Sequence, residues 1–289
     1  MTATSKPDQT FPIRHLRLPS EFDRCVELQQ IVWGFDHRDV VPARMMIVVQ
    51  QHGGLALGAF DGSEMVAFLF ALPSLHDGRF AQHSHMLAVL EAYRDRGIGR
   101  SLKLFQYRDA CQRGIRTVTW TFDPLETKNA FLNLNRLGAV SNVYCVNLYG
   151  ERTSSDLHSG LGTDRFLTEW FIGSARTERI LAGEDPTPAE WESLPKVLSW
   201  VGGCRFLPAP PQLSIGAPRV LVEAPPDTTI LKKLDREAAE QWRAATRAVF
   251  RDLFDRGYGI RALARSREVL PLAGYQLRRT FYLAERDEN

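Results

Sequence analysis

The chain has 289 residues, 44% of them hydrophobic and 24% charged, and a formal net charge of +2. That length supplies one large or two modest cores, and a near balance of charge without a long Lys/Arg block excludes a dedicated nucleic-acid binder. No stretch reaches the roughly 20 apolar residues that span a bilayer, residues 1–10 lack the apolar core of a signal peptide, and four scattered cysteines (Cys25, Cys111, Cys145, Cys204) predict reduced, buried thiols; the expected location is the cytoplasm.

In chain order, residues 11–18 alternate apolar and basic side chains and predict a first strand. Ser20, with Asp23 three residues on, is the expected cap of a helix whose apolar positions run to Gly34. A short helix over 42–50 follows, then strands over 54–60, 64–72 and 82–90, with Asp61-Gly62 as a hairpin turn. Helix 101–113, strand 116–122, helix 127–137, and strands 143–150 and 165–172 complete the order βααβββαβαββ. From 173 to 219 seven prolines punctuate short segments, which reads as a connector. Beyond it come a strand at 220–223, one long amphipathic helix from Leu231 to a stop at Gly257, and strands over 260–263 and 275–283. The expected domains are 11–173, a connecting segment 174–218, and a small α/β region 219–285. Arg113-Gly114 and Arg256-Gly257 each stand between a helix and a strand. The plain reading is two glycine helix stops; the alternative is that the C-terminal region is a degenerate half of the first fold.

Chemistry concentrates in Arg94-Asp95-Arg96-Gly97-Ile98-Gly99-Arg100, between the strand that holds Leu87, Ala88 and Val89 and the helix that begins near Ser101. Side-chain-free glycines let a ligand approach the backbone. The unpaired N–H groups and dipole of a helix start favour an anion, and the arginines never lose their charge. The dinucleotide pattern Gly-x-Gly-x-x-Gly fails because position 102 is Leu, and no Gly-Lys-Ser/Thr of a nucleotide-triphosphate loop follows. The Arg-x-x-Gly-x-Gly that remains, led in by Glu91-Ala92-Tyr93-Arg94 and followed by Gly114 and the strand Thr117-Val118-Thr119-Trp120, resembles the GNAT acetyltransferase superfamily. Trp120-Thr121-Phe122-Asp123-Pro124, Asn133 to Ala139, Tyr149-Gly150 and Thr163-Asp164-Arg165 are similar to a bacterial branch of predicted acetyltransferases.

The resemblance implies an α/β fold: a mixed sheet flanked by helices, with the smaller C-terminal α/β region appended. It implies acetyl-CoA, or another short acyl-CoA, as cofactor. The pantetheine arm would lie along Leu87, Ala88 and Val89. The pyrophosphate would lie on Arg94, Arg96, Gly97, Ile98, Gly99, Arg100 and Ser101. It implies acetyl transfer to the amine of a small-molecule or amino-acid-like acceptor by direct attack, in a monomer or homodimer. Leu134 occupies the position of the family's usual proton-donating Tyr, so Tyr144 and Tyr149 are the substitutes. Asp123, Glu126, Asp164, Glu169, His83 and His85 remain open as general bases, with Asn135 a hydrogen-bonding group near the chemistry. Asp123, Asn135 and Tyr144 are the catalytic set, and Glu126, Asp164 and Arg165 the acceptor set. No metal is expected, since His83 and His85 have no third ligand nearby. Two rivals stand beside this reading: an acyl-CoA-binding sensor or scaffold without catalysis, and an assembly role for the long helix around Trp242.

Overall fold

The computed structural model describes residues 11–150, 161–203, 205–272 and 275–286. The chain divides into two compact units, Met1–Arg116 and Thr117–Asn289.

The first unit is an antiparallel sheet of β1 (Ile13–His15), β2 (Leu55–Asp61), β3 (Glu64–His76) and β4 (Arg79–Val89), in that order, with helices α1 (Pro19–Trp33), α2 (Ala43–Gln51) and α3 (Ile98–Gln112). Alternation along β3 builds two cores. Phe68 and Phe70 join Phe22, Leu28 and Met46 of α1 and α2, while Leu69 and Ala71 join Ile98 and Leu102 of α3. Helix α1 starts at Pro19, before the expected Ser20 cap. The Glu21 carboxylate accepts from the backbone N–H groups of Arg17 (2.7 Å) and Leu18 (3.2 Å), satisfying donors that Ser20 does not.

β4 carries a bulge. Phe70 faces Met86 and Ala71 faces Ser84, leaving His85 as the extra residue. The alternation therefore slips by one. Ser84 meets Lys103 of α3, and Leu87, three residues on, again packs on the α3 side, whereas Met86 and Ala88 turn to α1. The last residues of β4 thus run into α3 with a face set by the bulge.

The second unit comprises β5 (Thr117–Phe122), α4 (Thr127–Phe131), β6 (Val140–Cys145), β7 (Arg165–Phe171), α5 (Ala175–Leu181), β8 (Lys196–Leu198), β9 (Arg219–Ala224), α6 (Thr228–Leu234), α7 (Arg236–Asp255), β10 (Tyr258–Leu272) and β11 (Tyr275–Arg286). Its sheet order is β5-β7-β6-β10-β11-β9-β8, antiparallel except for the parallel β8/β9 pair. This is the expected α/β class with a mixed sheet. The strands of 219–285 extend the sheet that holds β5, β6 and β7.

Three expected elements change. Helix 127–137 becomes α4 followed by a π-helical turn over Leu132–Arg136. The strand expected over 143–150 lies at 140–145, because Gly138 (φ 77°) reverses the chain early and a turn at Asn147 (φ 46°) closes it. The single long helix breaks at Asp235, which ends α6 and, with its carboxylate accepting from Ala238 N–H (3.1 Å), caps α7. The described cysteines are free thiols, and Cys25 is buried as expected, whereas Cys111 is exposed on α3 and Cys145 is half-buried. Cys204 lies outside the described residues.

The second unit repeats itself. β5, α4, β6 and β7 form strand, helix, strand and a return strand that inserts between the first two. β9, α6/α7, β10 and β11 do the same, with β11 between β9 and β10. The two copies meet along an antiparallel seam where Ile260 of β10 faces Ser141 of β6. Gly114 (φ 67°) and Gly257 (φ 79°) both act as left-handed helix stops.

Candidate functional site

In the first unit, β4 ends at Val89, one 3₁₀ turn spans Glu91–Tyr93, and Arg94 runs extended. Asp95 (φ 61°) and Gly97 (φ 76°) are both left-handed, and they bracket Arg96. Helix α3 then starts at Ile98, with Gly97 as an N-cap that has no side chain to offer, and the first return bond is Ser101 N–H to Gly97 O (3.0 Å). The N–H groups of Ile98, Gly99 and Arg100 precede that bond and belong to the outward-directed first turn. A Cβ on Gly97 would meet nothing within 4 Å, and one on Gly99 only Leu87 Cδ2 at 3.5 Å, so the turn opens on free space.

The loop is exposed but anchored. Ile98 is 2% exposed and plugs into the core with Leu102. Tyr93 donates to Asp61 Oδ2 (3.0 Å), and Arg96 lies 5.1 Å over its ring. Arg94 Nε donates to Val89 O (3.4 Å). Arg94, Arg96 and Ser101 are exposed, Gly99 and Arg100 half-exposed. Leu87 and Val89 are half-buried and Ala88 is buried, so the three expected pantetheine residues share the strand that leads into the loop.

Behind β4 the structure holds a polar group that no sequence pattern announces. Lys103 is buried, and its Nζ donates to Ser84 Oγ (2.8 Å) and Gln106 Oε1 (3.2 Å). Burial lowers its pKa to about 7. His83 and His85 do share a face, with ring centroids 6.2 Å apart. Burial, with His85 and Lys103 nearby, takes His83 down to about 4, and burial lowers His85 too. Both imidazoles are poor proton acceptors near neutrality. Among the described residues no cluster of three or more His, Cys, Asp or Glu side chains could hold a metal ion.

The second unit gathers Asp123, Glu126, Tyr144, Asp164 and Arg165 with two arginines of α7, Arg243 and Arg247. Asp123 sits one residue past β5 and caps its own turn, accepting from Leu125 N–H (2.8 Å). Its two oxygens also accept from Arg243 Nη2 (2.7 and 2.6 Å), with Arg165 Nη1 at 3.8 Å. Asp164, fully buried, accepts from Tyr144 Oη (2.6 Å), Asn147 N–H (3.0 Å) and Arg247 (Nε and Nη2, both 2.8 Å). Desolvation raises its pKa, but the Arg247, Tyr144 and Asn147 bonds outweigh it, and the net direction is down. Arg165 donates to the Asp164 carbonyl (2.9 Å) and lies 5.4 Å from the Tyr149 ring.

Glu126 is different. Desolvation, then the charges of Asp123 and Asp227, lift its pKa to about 7 against Lys232 and Arg243. Tyr144 is pushed well above an ordinary phenol, by burial first and by its bond to Asp164 second. That hydroxyl donates to Asp164, so its proton is already engaged. Tyr149 pairs its hydroxyl with Thr121 Oγ1 (3.1 Å). Asn135 is buried, accepts from Leu263 N–H (2.8 Å) and donates to Thr187 Oγ1 (3.4 Å), which ties the π-turn to β10. Glu169 accepts from Asn142 Nδ2 (3.0 Å), and Leu134 is wholly buried. Asp123, Glu126, Tyr144, Asp164 and Arg165 therefore come together, while Asn135 and Glu169 serve the sheet.

Arg243 and Arg247 were missed. They stand four apart beside the apolar stripe of α7, and charge inside such a stripe was the available signal. Arg243 Nε and Nη1 are buried with no hydrogen-bond partner. Tyr144 is near enough for Arg243 to oppose the rise of its pKa, yet no well-formed hydrogen bond joins them. Leaving such donors unpaired costs on the order of 1–3 kcal/mol each.

No protein-family model matches the chain, and no curated protein matches it. Solved structures of GNAT-family acetyltransferases are among those it is similar to. They include the acetyltransferase of the GNAT family from Streptococcus pneumoniae (15% identity, 56% of this chain, 99% of that one, TM-score 0.45). Another is the ribosomal-protein-S18-alanine N-acetyltransferase from Escherichia coli (18%, 57% and 95%, TM-score 0.45). A third is yncA from Salmonella typhimurium with its cofactor acetyl-CoA (14%, 57% and 96%, TM-score 0.47).

Proposed function

We propose that the chain is an acetyl-CoA-dependent N-acyltransferase that moves an acyl group to the amine of a small-molecule or amino-acid-like acceptor by direct attack. The observation that carries this reading is the start of α3: a left-handed glycine cap, a Cβ-sized opening above it, and arginines on either side. A pyrophosphate fits those donors. The N–H groups of Ile98, Gly99 and Arg100 would hold it, with Arg94, Arg96 and Arg100 neutralising charge. Leu87, Ala88 and Val89 offer backbone groups for the pantetheine amides. Bound acetyl-CoA, or another short acyl-CoA, supplies an acyl group activated as a thioester.

Glu126 is a carboxyl of the second unit suited to accept a proton near neutral pH. A base works best with a pKa near the working pH, and among the described carboxyls of the second unit it is the one raised to about 7. Asp123 and Asp164 hold arginines in place. Tyr144 orients Asp164, its proton already engaged, and the leaving thiolate takes its proton from solvent.

Calorimetry with acetyl-CoA tests the reading. Saturable binding is expected, weakening as salt rises, with the Arg94→Gln/Arg96→Gln/Arg100→Gln triple variant about tenfold weaker or worse. No binding at millimolar concentrations overturns it. The engaged Tyr144 hydroxyl and buried Leu134 favour a second reading, an acyl-CoA sensor without turnover. Binding with no thiol release across an amine library would select it.

A further inference from the structure

The second unit has a cavity of about 210 Å³ that the chemistry proposed above does not use. It lies beside the seam of the two motifs. Arg176 of α5, Arg261 of β10 and Glu285 of β11 line it, together with Ile180, Pro186 and Pro188. All three charged residues are half-exposed, so a solute reaches them. The other charged groups in the lining are engaged locally. Arg179 and Glu184 pair with each other (3.6 Å), and Asp185 accepts from Thr187 N–H (2.9 Å) in its own turn.

Arg176 is tethered. Its Nε donates to Gly138 O (3.3 Å) and its Nη2 to Arg261 O, which leaves Nη1 without a hydrogen-bond partner among the described residues. Arg261 is steered in turn by its Nη1 bond to Asn142 Oδ1 (2.7 Å). Burial, and then the like charge of Arg261, disfavour the charge on Arg176; Glu285 opposes them, and the net direction of the Arg176 pKa is down. The cavity therefore supplies too little negative charge at its guanidiniums. Glu285 is held on β11 by the pairing of its backbone with Gly259. Among the described residues no hydrogen bond or ion pair joins its carboxylate to Arg176.

Opposite charges that line one cavity without meeting leave room for a molecule that carries both. A carboxylate brings Arg176 and Arg261 the negative charge they lack, through charge-assisted bonds. An ammonium answers Glu285, and Ile180 and the two prolines offer apolar surface to a side chain. The volume lies below the roughly 300–1,000 Å³ of sites for drug-sized ligands, which sets the scale of the occupant. We propose that this cavity binds a small zwitterionic amino acid, its carboxylate at Arg176 and Arg261 and its ammonium at Glu285. Glu126 does not line it, and the site stands whether or not the chain transfers acyl groups.

Calorimetry on the full chain without acetyl-CoA tests this. The probes are L-alanine, L-valine and L-leucine, each beside its amide, which lacks the carboxylate, and its deamino acid, which lacks the ammonium. Saturable binding of at least one amino acid is expected, with Kd about tenfold or more higher for both analogues. Glu285→Gln removes a side chain that bonds to no described residue and should fold as the natural chain does. It should bring amino acid and deamino acid to equal Kd, both still tighter than the amide. Arg176→Lys keeps the charge and loses the planar fork, so amino-acid binding should weaken about tenfold. No amino-acid binding at tens of millimolar overturns the proposal. Equal affinity for amino acid and deamino acid in the natural chain also overturns it, leaving a site for anions alone. A preference for the ammonium that survives Glu285→Gln overturns it too, because the binding then lies elsewhere. If Arg176→Lys does not fold, the probe series on the natural chain and on Glu285→Gln decides.

Discussion

Asp164 and Glu126 are carboxyls of the same unit that titrate in opposite directions. Asp164 is buried among four donors and stays ionised. Glu126 is desolvated and lies near Asp123 and Asp227, with Lys232 and Arg243 as weaker counterweights, and it holds its proton to about pH 7. Environments that push a pair of carboxyls apart in this way divide anchoring from proton transfer. The difference has a stability signature. Glu126 moves from an ordinary value of 4.5 to about 7 in the fold. Between those values the folded state binds the extra proton, so its contribution is full below pH 4.5 and is lost as pH rises through 7. The full span is worth roughly 3 kcal/mol. Glu126→Gln is therefore expected to stabilise the chain more at about pH 8 than at about pH 5, read by urea midpoints at both values.

At the scale of elements, the start of α3 invites a matched pair of substitutions. Gly97 and Gly62 both have positive φ (76° and 59°), and a Cβ on either meets nothing within 4 Å. Alanine at each should cost about 1–2 kcal/mol through backbone strain alone. Only Gly97→Ala places a methyl group where the phosphates would approach. Calorimetry is thus expected to show acetyl-CoA affinity falling about tenfold or more in Gly97→Ala and unchanged in Gly62→Ala. Equal affinities would detach the loop from the cofactor. This loop was legible in the sequence because its chemistry is local: strand, arginines, glycines and helix fall within about fifteen consecutive residues. Asp123 and Arg243 lie 120 positions apart, and their pairing depends on how α7 is seated, which no spacing reports. The break between α6 and α7 was legible in principle, since Asp235 is a strong cap. The apolar periodicity running across it concealed the interruption.

On the scale of the whole molecule, six of the described strands of the second unit form two strand–helix–strand–return motifs joined at β6 and β10, with β8 added beside β9. The sequence offered a different echo, between the helix stops at Gly114 and Gly257, and this repeat is not that one, because Gly114 precedes β5. The sequence could not place the return strands, because strand order is set by long-range pairing and not by local pattern. The seam is thin, with Ile260 opposite Ser141 as its ladder pair and a side-chain bond from Arg261 Nη1 to Asn142 Oδ1 (2.7 Å). Gly259 lies beside that bond. A Cβ there would collide with both Arg261 Nη1 and Asn142 Oδ1, so the two could not stay where they are. Gly259→Ala must push the two side chains apart and open the link between the motifs. Overpacking of this kind costs about 1–3 kcal/mol. The loss should appear as a lower urea midpoint and as faster amide exchange at Ile260 and Ser141. Exchange in β9 and β5, at the far ends of the two motifs, should change less. If the seam joins the motifs as described, shortening the clashing partner with Asn142→Ala in the same chain should recover some of the lost midpoint. No recovery would mean that the glycine is needed for the course of β10 itself and not for the seam.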